Sequence, residues 1–351
     1  MDFLHALFLL ILKPFFYPFF YSIWNIPWGP THPVNPEEIS RMLTTFFTFI
    51  SHPGIFRVLF LLKLPYLVFD LLCAWMLFKL AGKNAFRFWM WNPVIIFVTA
   101  IYGRFETIPL FLLLLSIYLL KKERSEWAYF SLSLAILLRI YPVLLLPFFL
   151  RKEKKYLLRG LPFLILPLLL FIFIPPGKGG GIPHINYLLS MNFYLGLHST
   201  LYIFFISYLL LLFHFFRFSS SRELPFYLAL FHLLLFATSY FHLQFYAWLI
   251  PFLSLTIAGE RYKENFFYFS LIFYFLYLFQ WGRVNSVYLF APLNPEKFSS
   301  LPSLQEILSP QNFHRFMGLV RSGLSACLLW LFYLMVRERN PQFSRNSSNS
   351  V

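Results

Sequence analysis

Charge is what this chain lacks most. Of its 351 residues only 12% are Asp, Glu, Lys or Arg, about half the share of an average soluble domain. That excludes a soluble enzyme or a compact nucleic-acid-binding domain. Cysteine is nearly missing as well. Cys73 and Cys327 both sit inside apolar runs, which excludes a disulfide scaffold, a redox pair and a zinc site. There are two aspartates, Asp2 and Asp70, so no Asp-x-Asp pair exists. His32, His52, His184 and His198 show no metal-like spacing, and no metal or other cofactor is expected.

What is present is hydrophobic. The apolar share is 59%, with 49 Phe and 21 Tyr. Apolar runs cover about 57–78, 88–102, 107–120, 127–150, 160–174, 200–216, 224–240, 245–258, 266–281 and 316–336. With Met1 to about Ile23, they amount to about 10–12 segments able, alone or paired, to reach into a bilayer core of about 30 Å. The first run carries Lys13 and has no small-residue cleavage site, so it reads as a retained helix and not a signal peptide. The expected class is an all-α, polytopic integral membrane protein. One membrane domain would cover 1–336, followed by a polar tail over 337–351.

The net charge of +15 follows topology, with no need for nucleic acid as a partner. Most basic residues fall in one set of short connections: Lys79–Arg87, Lys121–Arg124, Arg151–Arg159, Arg217–Arg222, Arg261–Lys263 and Arg337–Arg345. The positive-inside rule puts this set, and the C-terminus, in the cytoplasm. Three longer loops, about 24–56, 175–199 and 282–315, then lie outside. The stretch Thr31–Leu43 reads as a Pro-initiated helix with Glu37 and Glu38 in its first turn. Apolar residues at 39, 42, 43, 46 and 47 give it one face suited to the membrane interface.

One run resists simple counting. Trp127–Leu150 is right for one span, yet basic clusters flank both of its ends. A hairpin turning at Arg139-Ile140-Tyr141-Pro142 keeps both clusters inside. Pro142 favours that break, since it removes a backbone donor and disfavours helix at Tyr141.

Ionisable residues within such runs are costly and therefore functional candidates. They are Lys63, Asp70, Arg104, Glu106, Arg139 and Arg321, with His214, His232 and His242 as weaker members. Arg139 at a re-entrant turn suits a phosphate or diphosphate, the alternative being a side chain that snorkels to water. Arg104 and Glu106 share the turn Tyr102–Glu106, as a cavity-facing pair or as markers of the water boundary. Lys63 either snorkels or binds an anion. Asp70 reads as structural, satisfying donors between helices. His242, Gln244 and Tyr246 can hydrogen-bond a sugar or a phosphate, or else form part of an aromatic belt. Gly177–Gly181 lacks the Lys-Ser/Thr ending of a phosphate loop.

Several stretches in order resemble the GT-C glycosyltransferases, and within them the mannosyltransferases of GPI-anchor synthesis and their prokaryotic relatives. Leu62-Lys63-Leu64-Pro65 with Asp70 is similar to that group's second membrane helix. Trp91-Asn92-Pro93 followed by Tyr102-Gly103-Arg104-Phe105-Glu106-Thr107-Ile108-Pro109 resembles its Asn-Pro and Gly-Gln-x-Asp-x-x-Pro region. Leu137–Pro147 resembles its Lys-x-x-Pro-x-x-x-x-Pro element, and His242–Pro251 its His-Pro-Gln-Tyr-x-x-Trp-x-x-Pro segment. Arg104 stands where Gln is usual, Glu106 where Asp is usual and Arg139 where Lys is usual. The first outer loop has no aspartate, only Glu37 and Glu38.

The resemblance implies transfer of a hexose, mannose by preference, from a polyprenyl-phosphate donor to a lipid-linked or envelope glycan acceptor on the outer or luminal face. It makes Glu37, Glu38 and Glu106 the candidate catalytic carboxylates. Lys63, Arg104, Arg139, His242, Gln244 and Tyr246 become the substrate-binding candidates, with Asp70 and Asn92 structural. The setting would be the plasma membrane of a prokaryote or the endoplasmic reticulum of a eukaryote. Competing readings are a lipid or solute transporter, to which broken helices and buried charge are equally suited, and a non-catalytic relative, for which the missing aspartate argues.

Overall fold

The computed structural model describes residues 10–11, 36–150, 158–165, 169, 189–196, 199–218 and 223–339. Most of the first apolar run, the Arg151–Lys155 cluster, much of the 160–174 run, Gly177–Gly181, the polar tail and the side chain of Glu38 lie outside these residues.

The described residues are mostly helical. Helix α1 (Pro36–Ile50) starts with proline at its first position, where the missing N–H costs nothing. Its Phe46 and Phe47 rings pack on Tyr288 at 5.8 and 5.6 Å. Among the described residues, helix α2 (Ile55–Ala81) is one of two that are long and apolar enough to cross a membrane by length and composition. The other is α12 (Pro310–Arg339). Six further apolar helices are shorter, between 10 and 17 residues.

The 88–102 run, expected to be continuous, is broken. Helix α3 (Lys83–Met90) stops at Trp91, and α4 begins at Pro93–Ile95 and continues as a π-helical segment, Ile96–Ile101. Asn92 makes the break: its side-chain oxygen accepts from the Val94 N–H at 3.1 Å, and Pro93 occupies the first helical position. Asn92 thus caps a helix, in keeping with a structural role.

Helices α5 (Thr107–Lys121) and α6 (Ser125–Leu138) form a tight antiparallel pair. Small hydroxyl residues set the register. Ser116 Oγ donates to the Ala128 carbonyl and Ser131 Oγ to the Leu112 carbonyl, both at 2.8 Å. Such residues let backbones approach closely in an apolar medium. Carried to the far end, this register puts the start of α5 beside the end of α6.

The chain then turns back. Arg139 is extended (φ −146°, ψ 124°), and a 3-10 turn, Tyr141–Leu145, leads into Leu146–Leu150, together α7. The Tyr129 hydroxyl donates to the Phe149 carbonyl at 3.0 Å, so residue 149 lies alongside residue 129. A continuous helix would separate them by about 30 Å. The run 127–150 is a hairpin with its apex at Arg139.

Strand pairing departs from the expected all-α chain, and the long outer loops carry short elements of their own. Strands β1 (Asn192–Gly196) and β2 (Ser199–Tyr202) pair antiparallel, Phe193 facing Leu201; Phe, Tyr, Thr and Leu at these positions suit a half-exposed ladder. The 282–315 segment carries helical turns at Gly282–Asn285, Tyr288–Phe290, Pro295–Ser300 and Leu304–Ile307. Asn294 and Ser303 cap the last two, which explains the turns in a segment with no apolar period.

Helix α8 (Ile203–Phe218) packs on α9 (Leu224–Thr238), which is buried on every side and forms the centre of the molecule. After a break at Ser239–His242, α10 runs as a 3-10 segment, Leu243–Trp248, and then Ile250–Thr256. Helix α11 (Arg261–Leu276) ends in a 3-10 turn, Tyr277–Trp281, and packs with α9 against α12.

The connections around Lys79–Arg87, Lys121–Arg124, Arg261–Lys263 and Glu338 gather at one end. Lys121 Nζ reaches the Leu80 carbonyl at 3.4 Å, Asn84 lies against Gly259, and buried Lys263 bonds Glu260 at 2.6 Å and Glu338. Burial opposes the Lys263 charge, but its hydrogen bonds to the two glutamates prevail and raise its pKa above the usual lysine value. Lys63 and Arg321 mark the other end. On α2, Lys63 and Lys79 are separated by about 24 Å of helix.

Arg321 closes the break after α9. Its guanidinium donates to the carbonyls of Phe236 at 2.8 Å and Ser239 at 2.7 Å, and Ser325 Oγ donates to the Ala237 carbonyl at 2.8 Å. Replacing Arg321 by Met orphans several carbonyls at once and should destabilise by about 2–4 kcal/mol, against about 1 kcal/mol for Ser325→Ala. Unfolding midpoints in detergent would show that ranking. Equal midpoints for the two variants would deny Arg321 its capping role.

Candidate functional site

Three helix breaks meet at the Lys63 end: the Tyr102–Glu106 turn between α4 and α5, the Arg139 apex between α6 and α7, and Ser239–His242 between α9 and α10. In an apolar environment backbone leaves a helix only where other groups satisfy it. Each break is held by named side chains.

At the first, the Lys63 ammonium donates to the last carbonyls of the π-helical segment, Ala100 at 2.8 Å and Ile101 at 2.9 Å. Gly103 follows with φ +67°, and a Cβ there would lie 2.9 Å from Lys63 Cε. Only glycine fits both the left-handed backbone and the lysine stem.

Glu106 precedes α5 and is completely buried. The α5–α6 register delivers Arg139 to it. Arg139 Nη2 donates to Glu106 Oε1, and Trp248 Nε1 donates to Glu106 Oε2 at 2.7 Å. Two donors on the two oxygens compensate a carboxylate that would otherwise be very costly. Arg139 lies over the Phe105 ring at 4.2 Å and near Phe245 at 5.3 Å, with 22% of its side chain exposed. The Trp248 ring meets the Tyr141 ring edge-on at 4.5 Å, and the Tyr141 hydroxyl is bonded to His232 Nε2. Glu106 therefore pairs with the hairpin apex, not with Arg104 two residues before it.

Arg104 donates through Nη2 to the Tyr102 hydroxyl at 2.9 Å, and its guanidinium carbon is 4.3 Å from the centre of that ring. The Tyr102 ring is parallel to His242 at 6.1 Å, and His242 meets Trp281 at 5.0 Å. His242 lies within electrostatic reach of both Arg104 and Arg139. The structure thus brings Lys63, Arg104, Glu106, Arg139 and His242 into one neighbourhood.

The other sequence candidates fall elsewhere or stay at the margin. Gln244 is buried beside His242 in the chain. Tyr246 is fully buried, stacked on Tyr274 at 4.6 Å and against Phe236 and Phe241, so its ring belongs to core packing. Asp70 accepts from Trp89 Nε1 at 2.6 Å, a contact between α2 and α3. Glu37 is exposed on α1. Trp248, Tyr102 and Trp281 are partners that the list of ionisable residues passes over. Trp248 is the tryptophan of the His242–Pro251 segment singled out above, whereas in a chain with 23% aromatic residues nothing local distinguishes Tyr102 or Trp281. Among the described residues no group of three His, Cys, Asp or Glu side chains could hold a metal ion.

Chemically the site offers two guanidiniums beside an imidazole, with a buried carboxylate fixing one of them. That arrangement suits recognition of an oxyanion next to a hydroxylated group. Comparison with protein-family models, with curated proteins and with solved structures gives no match.

The indole N–H of Trp248 is the half of the Glu106 environment that carries no charge. Trp248→Phe keeps the ring against Tyr141 and leaves one carboxylate oxygen a donor short, at a cost of about 1–3 kcal/mol. Glu106→Gln in the same background should recover part of the loss in thermal midpoint, because an amide is less costly to bury than a carboxylate. Additive losses in the double variant would deny the coupling.

Proposed function

We propose that the chain is a multi-pass membrane glycosyltransferase that moves a hexose from a polyprenyl-phosphate donor to a lipid-linked or envelope glycan acceptor on the outer or luminal face. The observation that carries this reading is the convergence of Arg104, Arg139, Glu106 and His242 at three helix breaks, at one end of an apolar slab whose other end gathers the basic loops.

The surface supports the membrane setting. Phe56, Phe60, Leu71, Trp75 and Phe78 are exposed along α2, Leu209, Leu210 and Phe213 along α8, and Leu319, Trp330 and Tyr333 along α12. Faces this apolar are not left to water. They suit acyl chains and, at the site, the tail of a polyprenyl donor. The α6–α7 hairpin reaches into the slab with its apex at Arg139, where Glu106, Phe105 and Phe245 surround it, while the α5–α6 turn is exposed among the basic loops.

The reaction needs few groups. The acceptor hydroxyl oxygen attacks the anomeric carbon, the bond from that carbon to the phosphate oxygen breaks, and the phosphate leaves with the electron pair. A carboxylate takes the hydroxyl proton. Cationic donors stabilise the leaving phosphate as its charge develops. Glu106 has both oxygens occupied, so it contributes by fixing Arg139. The proton acceptor is then Glu37 or Glu38 on α1.

The deciding experiment incubates the nanodisc-embedded protein with radiolabelled polyprenyl-phosphate-mannose and a lipid extract of its native host. Label should enter a new lipid or glycan. Either Glu37→Gln or Glu38→Gln should abolish transfer without changing the thermal midpoint, while Arg139→Gln should weaken donor binding. Full activity in both glutamate variants would remove the base assignment, and saturable binding without transfer would favour a carrier-lipid translocator. Membrane topology can be tested separately. Single cysteines at Glu123 and Leu158, the two ends of the hairpin, should be modified by an impermeant reagent from the same side; labelling from opposite sides would mean a single crossing.

A further inference from the structure

Of the four cations placed above at the site end, Lys63, Arg104, Arg139 and Arg321, three are compensated by the protein itself. Lys63 donates to the carbonyls of Ala100 and Ile101, at the negative end of a helical segment. Arg321 donates to the carbonyls of Phe236 and Ser239, at the end of α9. Arg139 is neutralised by Glu106. Arg104 has neither a carboxylate nor a carbonyl acceptor among the described residues. Its partners there are the hydroxyl and the ring face of Tyr102.

A guanidinium at the margin of an apolar slab without a counter-charge either reaches water or awaits an anion. The first does not account for the Nε group. Arg104 Nε is buried and has no hydrogen-bond partner. Arg139 Nε, His242 Nδ1 and Gln244 Oε1 are in the same condition. Buried polar atoms are ordinarily satisfied, and each exception asks for an explanation. Arg104 lies over the Tyr102 ring that is parallel to His242, and Arg139 lies near the Phe245 ring that meets His242 edge-on at 6.4 Å, so Arg104, Arg139 and His242 share one neighbourhood.

We infer that Arg104 supplies the net positive charge that receives the phosphate oxyanion of the substrate, with Arg139, its charge compensated by Glu106, presenting a second donor beside it. The inference rests on the lipid-phosphate reading above. It assigns the charge to a residue of the 102–106 turn and leaves the hairpin apex a geometric part. His242 Nδ1 and Gln244 Oε1 then face the hydroxylated group that the phosphate carries. One consequence concerns Glu106. Its removal would add a net charge to the site, and removal of Arg139 alone would subtract one.

The test compares binding of undecaprenyl phosphate and of undecaprenol, its uncharged alcohol, to the full-length protein in zwitterionic nanodiscs, read by tryptophan fluorescence. Phosphatidylglycerol is added as a competitor of the same charge. The wild-type protein should prefer the phosphate, and phosphatidylglycerol should not displace it. Arg104→Gln should abolish the preference, a loss of about tenfold or more in relative affinity. Arg104→Lys should keep part of it, which guards against misfolding as the cause. Arg139→Gln should also lose affinity for the phosphate, and Glu106→Gln added to it should restore part of that loss by removing the unpaired carboxylate.

A preference undiminished in Arg104→Gln would overturn the assignment and leave the lipid-phosphate reading standing. Displacement by phosphatidylglycerol would make the site a bulk-lipid headgroup site. No preference in the wild-type protein would remove the lipid-phosphate reading itself.

Discussion

The Glu106 carboxylate is the group on which the site depends. It is wholly buried, and its oxygens are taken by Arg139 from the α6–α7 apex and by Trp248 from α10. Its partners lie 33 and 142 residues further along the chain. A buried charge left unpaired costs about 3–5 kcal/mol, so this one contact fixes three helix breaks relative to each other. The α5–α6 register, the fold-back of α7 and the return of the chain after α9 must all be right before it can form. A buried pair of this kind gains little net stability over apolar packing. Its contribution is to permit one arrangement of the breaks and penalise others.

The same requirement explains the remaining cations. Each interrupted helix leaves carbonyls with no intrahelical donor. In water solvent would satisfy them, but among apolar helices a side chain must. Lys63 does so for the π-helical segment before Gly103, and Arg321 with Ser325 does so after α9. Charge that is costly in an apolar slab is thereby matched to backbone that is costly there for the opposite reason. The residues that compensate broken backbone are not free to bind ligand, and this division singles out Arg104.

Much of the architecture was legible in the sequence because it is written locally. Basic clusters at both ends of 127–150, with Pro142 between, specify a hairpin, and the Tyr129–Phe149 hydrogen bond closes it. Pro36 marks the start of α1. The Asn92-Pro93 pair carries a helix-start signal that a reading by hydropathy alone passes over, and the 88–102 run was taken as continuous for that reason. The β-hairpin at 192–202 and the capped turns of 282–307 were hidden in segments that look like loops. Their signals, an aromatic alternation and Asn or Ser caps, are short and common. Of the site, residue identities were visible but pairings were not. Nothing within a few residues of Glu106 indicates that its counter-ion is Arg139 instead of Arg104. That follows only from the antiparallel register set by Ser116 and Ser131.

Burial and exposure also divide the aromatic residues in a way that bears on mechanism. Phe and Trp such as Phe56, Phe60, Phe213 and Trp330 on α2, α8 and α12 are exposed, as lipid-facing residues would be. At the three breaks the aromatic residues carry polar atoms or stack on charged groups: Tyr102 under Arg104, Phe105 under Arg139, Trp248 on Glu106, and Trp281 against His242. A guanidinium over a ring keeps its edge nitrogens free for a ligand while its face is desolvated. For Arg139 that edge is partly given to Glu106, whereas for Arg104 the acceptor is a neutral phenol. On the proposed reading, a site so built would distinguish its ligands by charge at Arg104 and by shape at the aromatic walls. Phosphate and polyprenyl tail would then be read by different parts of one short stretch of chain, Tyr102 to Glu106, together with the helices it joins.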